Sequence, residues 1–372
     1  MIVGFDAKRA FHNTTGLGNY SRDIIRILSH YFPENSYVLY NPKPRKPDLY
    51  FPGNDVIVSY PDSFLNKKFS SIWRSKCITR QLRKDNINLY HGLSNELPYG
   101  IRKTKIKAIV TIHDLIFMRY PQWYHAVDRY IYVQKAKNAV KNADKIIAIS
   151  EQTRNDIIDF LKVPPEKIEV IYQGCHHTFK QSYTEKEINL TKEKFCLPLK
   201  FLLSVGTIEE RKNLLTVVKS LNHHSLPLVV VGKETKYIDR IHKYIDSNHL
   251  RERIHFIRPS SMQELAIIYQ LATVFCYMSV FEGFGIPIIE SLYSRTPVIA
   301  TKGGCFIEAG GPNSIYIDYW DDKALGEKIN RLLNDESLND YMIEKGFDYV
   351  RRFNDPNIAF AMMELYNKLI HS

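Results

Sequence analysis

At 372 residues the chain exceeds the roughly 250 to 300 residues at which single hydrophobic cores stop growing, so two domains are expected. Its composition, 44% apolar and 24% charged, is that of a globular protein, and no apolar run approaches the ~20 residues of a membrane-spanning helix. Five cysteines (Cys77, Cys175, Cys196, Cys276 and Cys305) without a close C-x-x-C pair exclude a disulfide framework and a zinc module.

The first element is a strand-like run, Ile2 to Phe5, with no charged and apolar leader ahead of it, from which a cytoplasmic location is expected. A helical pattern follows at Leu17 to Ser29, and then β-branched runs at Tyr37 to Tyr40, Val56 to Ser59, Ile87 to Tyr90, Ala108 to Ile112 and Lys145 to Ile149. The polar stretch Lys180 to Lys194 interrupts the pattern. A second series then runs through Phe201 to Val205, Leu228 to Val231, Ile254 to Ile257, Val274 to Tyr277, Val298 to Ala300 and Ser314 to Ile317, with helices at Arg211 to Leu221 and Pro287 to Tyr293. Strands alternating with helices predict parallel α/β sheets, here two Rossmann-like domains, 1–175 and 196–353, joined by a linker at 176–195. A last helix, 354–372, is expected to cross back to the first domain. Ligands of parallel sheets gather at the strands' carboxyl ends, so a cleft between the two domains is the expected site.

The net charge of +11 is concentrated: residues 1–110 carry 18 Lys and Arg against 8 Asp and Glu. The excess lies in Lys43, Arg45 and Lys46, in Lys67 to Lys84, and in Arg102 to Lys107. The middle stretch mixes bases with apolar residues at helical spacing around Trp73, which suits an anionic membrane surface. Its plainer alternative is a solvated helix packed on its own domain. Nucleic acid is not favoured, because neither zinc-finger spacing nor an RNP-type aromatic motif occurs.

The residues that carry chemistry stand at predicted strand ends. Asn13 to Tyr20 holds Gly16 and Gly18 where a helix begins, so backbone N–H groups could approach a diphosphate, although the full G-x-G-x-x-G spacing of a dinucleotide fold is missing. His113 and Asp114 follow the strand Ala108 to Ile112. After Phe201 to Val205 comes Gly206 and then Arg211 and Lys212, adjacent cations at a predicted helix start, where they oppose the helix dipole unless an anion lies between them. A solvated basic pair is the alternative. Phe281 to Glu290 sets Glu282 and Glu290 around a turn containing Gly283, Phe284, Gly285 and Ile286. Proline suits a helix's first position, so Pro287 would put Glu290 in the first helical turn and Glu282 on the loop before it. Carboxylates there can accept from sugar or ribose hydroxyls, and loop N–H groups can meet phosphate. Asp318, Asp321 and Asp322 read as a helix-start cluster rather than a metal site, so no metal and no cofactor are expected.

Together Gly16 to Tyr20, Thr111 to Leu115, Ile149 to Glu151, Val163 to Ile168, Gly206 to Glu209 with Arg211 to Asn213, and Phe281 to Glu290 resemble the family 4 glycosyltransferases. The resemblance spans nearly the whole chain. It implies a GT-B fold, two Rossmann-like domains with parallel sheets facing a central cleft, the first binding the acceptor and the second the nucleotide sugar, and transfer with retention. It further implies that Arg211 and Lys212 hold the donor diphosphate, that Glu282 and the backbone of Phe284, Gly285 and Ile286 contact the donor sugar, that Glu290 binds the ribose, and that His113 lies near the reacting carbon. Glu210 and Thr207 depart from the family pattern around the cation pair.

The expected function is transfer of a hexose, mannose from GDP-mannose in the first instance, to a lipid-linked saccharide of a bacterial surface polysaccharide, by an enzyme peripheral on the inner face of the cytoplasmic membrane. Two other classes stay open: a hydrolase or epimerase of nucleotide sugars using the same cleft, and a non-catalytic sugar or polyanion binding module. Donor turnover with and without an acceptor separates the three.

Overall fold

The computed structural model describes residues 1–44, 50, 52–53 and 56–371; Arg45 and Lys46 of the first basic cluster lie outside the described residues. The chain divides into two compact units, Met1–Gly174 with Phe353–Ser372, and Cys175–Arg352.

In the first unit β1 (Ile2–Asp6), β2 (Ser36–Tyr40), β3 (Val56–Ser59), β4 (Leu89–Gly92), β5 (Lys107–Ile112), β6 (Lys145–Ala148) and β7 (Ile168–Val170) form one sheet in the order β3-β2-β1-β4-β5-β6-β7. Every pairing is parallel. Alternation along each strand feeds two cores. Val3, Phe5, Leu39, Ile109 and Ile147 face one, with Ile24 and Leu28 of helix Gly16–Tyr31 and Met362 and Tyr366 of helix Asp355–His371. Tyr40, Tyr90, Val110 and Ile146 face the other, with Trp73, Leu82 and Ala136. Both faces are covered, which is why these strands are almost continuously apolar. The final helix belongs to this unit, where Arg26 meets Asp355 at 2.6 Å and His91 meets the Tyr366 hydroxyl at 2.6 Å.

The second unit holds β8 (Leu202–Val205), β9 (Leu228–Val231), β10 (Ile254–Ile257), β11 (Val274–Tyr277), β12 (Val298–Thr301) and β13 (Ile315–Ile317), all parallel, in the order β10-β9-β8-β11-β12-β13. Each sheet therefore reverses its strand order once, between β1 and β4 and between β8 and β11. Such switch points leave a crevice at the strands' carboxyl ends.

Two expectations change. Residues 176–195 are not a linker: they form a short turn, His177–Lys180, and helix Glu185–Phe195, which has a capping box between Thr184 and Glu187 and packs within the second unit through Lys194–Glu264 and Gln263–Glu187 contacts at 2.5 and 2.7 Å. Thr191 is the helix's one buried residue, so its composition resembles that of a solvated segment. The basic stretch is a broken series of helices, Phe64–Lys68, Ser70–Ile72, a π-helical turn Trp73–Cys77, and Ile78–Lys84. Trp73 and Arg74, expected on a membrane-facing side, are buried instead: Trp73 joins the core, and Arg74 is paired with Asp6 and Glu96. Lys67, Lys68, Lys76, Arg80, Arg83 and Lys84 are exposed.

Candidate active site

In the second unit the chain leaves β8 through Gly206, whose φ of +149° favours glycine, and reaches a 3-10 turn, Glu210–Lys212. It then passes Asn213, left-handed at φ 53°, into helix Leu214–Ser220. Arg211 and Lys212 thus end a tight turn rather than opening a helix, and a dipole conflict does not describe them. The loop that leaves β11 is fastened to this turn. The Val280 N–H donates to the Arg211 carbonyl at 2.8 Å, and the Asn213 carboxamide donates to the Met278 and Tyr319 carbonyls at 3.2 and 2.6 Å.

This brings Glu282 between the two cations. Arg211 Nη1 lies 2.7 Å from Glu282 Oε2, Lys212 Nζ pairs with Oε1, and Arg211 Nη2 reaches Glu209 at 2.7 Å. Lys212 also donates to the Tyr277 hydroxyl at 2.9 Å, which donates on to Glu282 at 3.1 Å. Burial alone would raise the Glu282 pKa, but Lys212 and Arg211 outweigh it and hold the group at about 2. Burial works against the charge on Arg211 too, and Glu282 and Glu209 more than restore it. The cluster is thus fixed in its ionised form. The sequence suggested a cation pair waiting for an anion, and the fold supplies two carboxylates as its resting partners.

The same loop is held from below by Cys305, whose thiol donates to the Glu282 and Phe284 carbonyls at 3.2 and 2.6 Å. Phe284 is buried, and a Cβ on Gly285 would press within 3.0 Å of Ala309. Helix Ile286–Tyr293 begins at Ile286 with Pro287 second, a position where no N–H partner is needed, so Glu290 falls beyond the first turn instead of within it. Its carboxyl is buried and accepts from the Tyr269 hydroxyl at 3.1 Å. Burial lifts its pKa to about 7 against the lowering effect of that bond. Gly206, Gly283, Phe284, Gly285, Ile286 and Glu290 therefore share one end of the second unit with the ion cluster. Glu209, Tyr269, Tyr277 and Cys305 were not anticipated; Tyr277 ends β11 and Cys305 follows β12, positions where ligands gather, which was the available signal, and Tyr269 had none.

His113, Gly16 and Gly18 belong to the first unit. His113 is buried, stacks edge-on with Tyr20 at 4.6 Å, and places Nε2 2.8 Å from the Leu93 carbonyl. A carbonyl only accepts, so Nε2 carries the proton and Nδ1 is left as an acceptor. Burial is the main cause that takes its pKa down to about 4, opposed by the Leu93 bond, so the ring is neutral at pH 7. The Asp114 carboxylate accepts from the Ile116 N–H at 3.1 Å. The Gly18 N–H, expected to face a diphosphate, is taken by the Thr15 carbonyl at 2.9 Å and the Asn13 carboxamide at 3.1 Å, and a Cβ there would collide with the Asn13 carbonyl. Gly16 opens the helix, and a Cβ there would meet no other part of the chain within 4 Å. Asp321 caps helix Asp322–Asn334 by accepting from Ala324 at 2.8 Å, and Asp322 pairs with His223 at 3.1 Å. Among the described residues no group of three or more His, Cys, Asp or Glu is arranged to hold a metal ion.

Residues 185–349 match the family described as Glycosyl transferases group 1, and residues 25–179 match Glycosyltransferase Family 4. The chain belongs to the family 4 glycosyltransferases. This glycosyltransferase is 24% identical over 289 residues to O-antigen chain mannosyltransferase B of Escherichia coli, covering 76% of this chain and 74% of the relative. To O-antigen chain mannosyltransferase RfbU of Salmonella typhimurium it is 28% identical over 251 residues, covering 67% and 66%. Its fold matches the crystal structure of Anabaena HepE in complex with UDP-glucose with a TM-score of 0.74 at 14% identity, over 99% of each chain. Both parallel sheets of the GT-B arrangement are thereby accounted for. In the glycosyltransferase Glu282 and Glu209 hold Arg211 and Lys212 side by side at the end of the second sheet.

Proposed function

We propose that the enzyme moves a hexose, with mannose foremost, from a nucleoside diphosphate sugar such as GDP-mannose to a lipid-linked saccharide of a bacterial surface polysaccharide, with retention at the anomeric carbon. The observation that carries this is the clamp of Arg211 and Lys212 on Glu282, set beside the buried acid Glu290 at the β8/β11 switch. As the bond from C1 to the diphosphate oxygen lengthens, negative charge gathers on the leaving group, and the two cations, held in place by Glu282, offset it. The acceptor oxygen bonds to C1 on the same face, and its proton passes to the departing phosphate oxygen. With two cations serving the leaving group, no metal is assigned a step, and transfer is expected to withstand EDTA. Glu290 receives ribose hydroxyls, and neutral His113 offers Nδ1 to a sugar hydroxyl.

Mannose and the O-antigen setting are supported by the two relatives, and a nucleotide sugar donor by the HepE complex. An anionic membrane surface is supported by the exposed bases and apolar side chains of residues 64–84; no described helix is long and apolar enough to cross a membrane. The deciding experiment offers the protein GDP-mannose, UDP-glucose and other nucleotide sugars with lipid-linked saccharides and follows product and anomeric configuration. An α-linked mannoside formed from GDP-mannose, whose mannose is itself α-linked, is expected. Donor hydrolysis that is indifferent to every acceptor would favour a hydrolase instead.

A further inference from the structure

His91 in β4 is buried and takes no part in the transfer steps, yet its ring joins the final helix to the next strand. Its Nδ1 lies 2.6 Å from the Tyr366 hydroxyl on that helix, and its Nε2 lies 2.8 Å from Thr111 Oγ1 in β5. The Thr111 hydroxyl in turn meets the Tyr20 hydroxyl of helix Gly16–Tyr31 at 3.0 Å. Tyr20 carries the row to its end, because its ring stands perpendicular to the His113 imidazole with 4.6 Å between centroids. All five side chains are buried.

Packing does not require these polar atoms. By the two-residue period of a strand, His91 shares the face of Leu89 and Thr111 that of Ile109, both in the apolar core beneath the two helices. Apolar groups of the same shape would fill this space at little cost, whereas a buried polar row fixes its members in one arrangement. Burial, with His113 adding to it, lowers the His91 pKa to about 3, so the ring is neutral and one nitrogen donates while the other accepts. The hydroxyls on either side must therefore orient together.

His113 is held by two separate devices. Asn95, left-handed at φ 57°, accepts the His113 N–H through its carboxamide at 2.8 Å and donates its own N–H to the Thr111 carbonyl at 2.9 Å, which sets the main chain. The imidazole has the Leu93 carbonyl on Nε2 and the Tyr20 ring against it. One hydrogen bond leaves a ring free to tilt about it, so Tyr20 sets the tilt. What anchors the Tyr20 hydroxyl is Thr111 and, behind it, His91 and Tyr366.

We propose that Tyr366, His91, Thr111 and Tyr20 are positioning residues for His113, together holding its imidazole at the angle from which Nδ1 meets the donor sugar. The inference rests on the reading of His113 as a group beside the transferred sugar, and adds that a residue of the final helix takes part in setting it.

Tyr366→Phe and Tyr20→Phe test it, since each removes one hydroxyl and keeps its ring. Either variant should lower kcat about tenfold, within what a misplaced group at a reacting centre costs, with nucleoside diphosphate affinity unchanged by calorimetry. The His113 Nε2–H, slow to exchange with water in the parent by NMR, should exchange faster in both. Because the two changes cut one row, the double variant should lose no more than the more affected single variant, instead of the product of the two losses. Ile358→Val thins the packing of the same helix about two turns before Tyr366, and should lower the melting temperature while kcat and the His113 signal stay parental. Thr111→Val cuts the row at its centre and replaces either tyrosine variant that does not fold.

The proposal is overturned if these cuts leave kcat and the His113 signal at parental values, if the losses multiply in the double variant, or if Ile358→Val loses as much kcat as they do. His113→Ala keeps it apart from the reading beneath it. Loss of transfer in His113→Ala with none in the cuts removes the positioning row and keeps the sugar contact; full transfer in His113→Ala removes both.

Discussion

Arg211 and Glu282 stand 2.7 Å apart at the ends of neighbouring strands, an ion pair that also fixes the loop on which the donor sugar is proposed to rest. Its two sides respond differently to mutation. Arg211→Ala or Lys212→Ala should cut transfer by two or more orders of magnitude, roughly the range seen when one oxyanion-stabilising donor is lost. The fold should survive, because the remaining cation still pairs Glu282. Glu282→Gln leaves two half-buried cations, of which only Arg211 keeps a carboxylate partner, Glu209, and should cost about 3 kcal/mol of stability as well as activity. Urea unfolding together with steady-state kinetics distinguishes them; normal turnover in either cation variant would remove that residue from the site.

The Glu282 pair also sets an acid limit. The folded-state pKa of about 2 lies below the ordinary 4.5, so the stabilisation is present above pH 4.5 and is lost as pH falls toward 2. Thermal melts of the parent between pH 6 and 3 should steepen downward, and Glu282→Gln should flatten that dependence.

Glu290 runs the other way. Its pKa is raised to about 7, so its contribution to stability is full below pH 4.5 and is lost as pH climbs through 7, a difference of roughly 3 kcal/mol. Glu290→Gln should therefore raise the melting temperature relative to the parent at pH 8 and have little effect at pH 4. It should weaken binding of the free nucleoside diphosphate about tenfold as well, as expected for a lost hydrogen bond to a charged group. Equal nucleotide affinity in the two proteins would break the ribose assignment.

His113, lowered to about 4 mainly by burial, contributes stability that is present above pH 6.5 and lost as pH falls through 4. Its Cε1 proton should show no titration between pH 6 and 8 by NMR, with the Nε2–H tautomer throughout. A midpoint near 6.5 would mean that the ring is solvated and the contact with the Leu93 carbonyl broken.

Much of this was legible because buried parallel strands such as Leu228–Val231 write themselves as apolar β-branched runs, and their carboxyl ends locate the loops that matter. Glu282, Glu290, Arg211 and Lys212 stood out for that reason. What sequence could not supply is partnership across distance. Asp6 and Arg74 meet only after β1 and a π-helical turn have formed, and without that pairing Arg74 reads as one more surface base. Tyr269 is an ordinary residue in an apolar helix until folding sets its hydroxyl against Glu290. β7 was missed because three residues at a sheet edge, Ile168, Glu169 and Val170, are too few to declare a period.

The membrane proposal changes its residues with Arg74 withdrawn. Phe64, Leu65, Phe69 and Ile72 are 79, 66, 51 and 50% exposed, and Lys67, Lys68, Lys76 and Arg80 stand exposed among them. Exposed aromatic and aliphatic groups ringed by bases suit the boundary between lipid headgroups and acyl chains better than open water. Attraction to anionic lipid is worth about 1 kcal/mol per base near the surface and fades as the screening length falls from ~8 Å at physiological ionic strength to ~3 Å at 1 M. Apolar insertion does not fade in this way. Cosedimentation with phosphatidylglycerol vesicles should therefore fall at high salt without vanishing in the parent. Lys67→Gln, Lys68→Gln, Lys76→Gln and Arg80→Gln combined should remove the salt-sensitive part, and Phe64→Ser, Leu65→Ser and Phe69→Ser combined the residue that resists salt. If both combined variants cosediment as the parent does at every salt concentration, the segment is a solvated helical surface and the docking proposal fails.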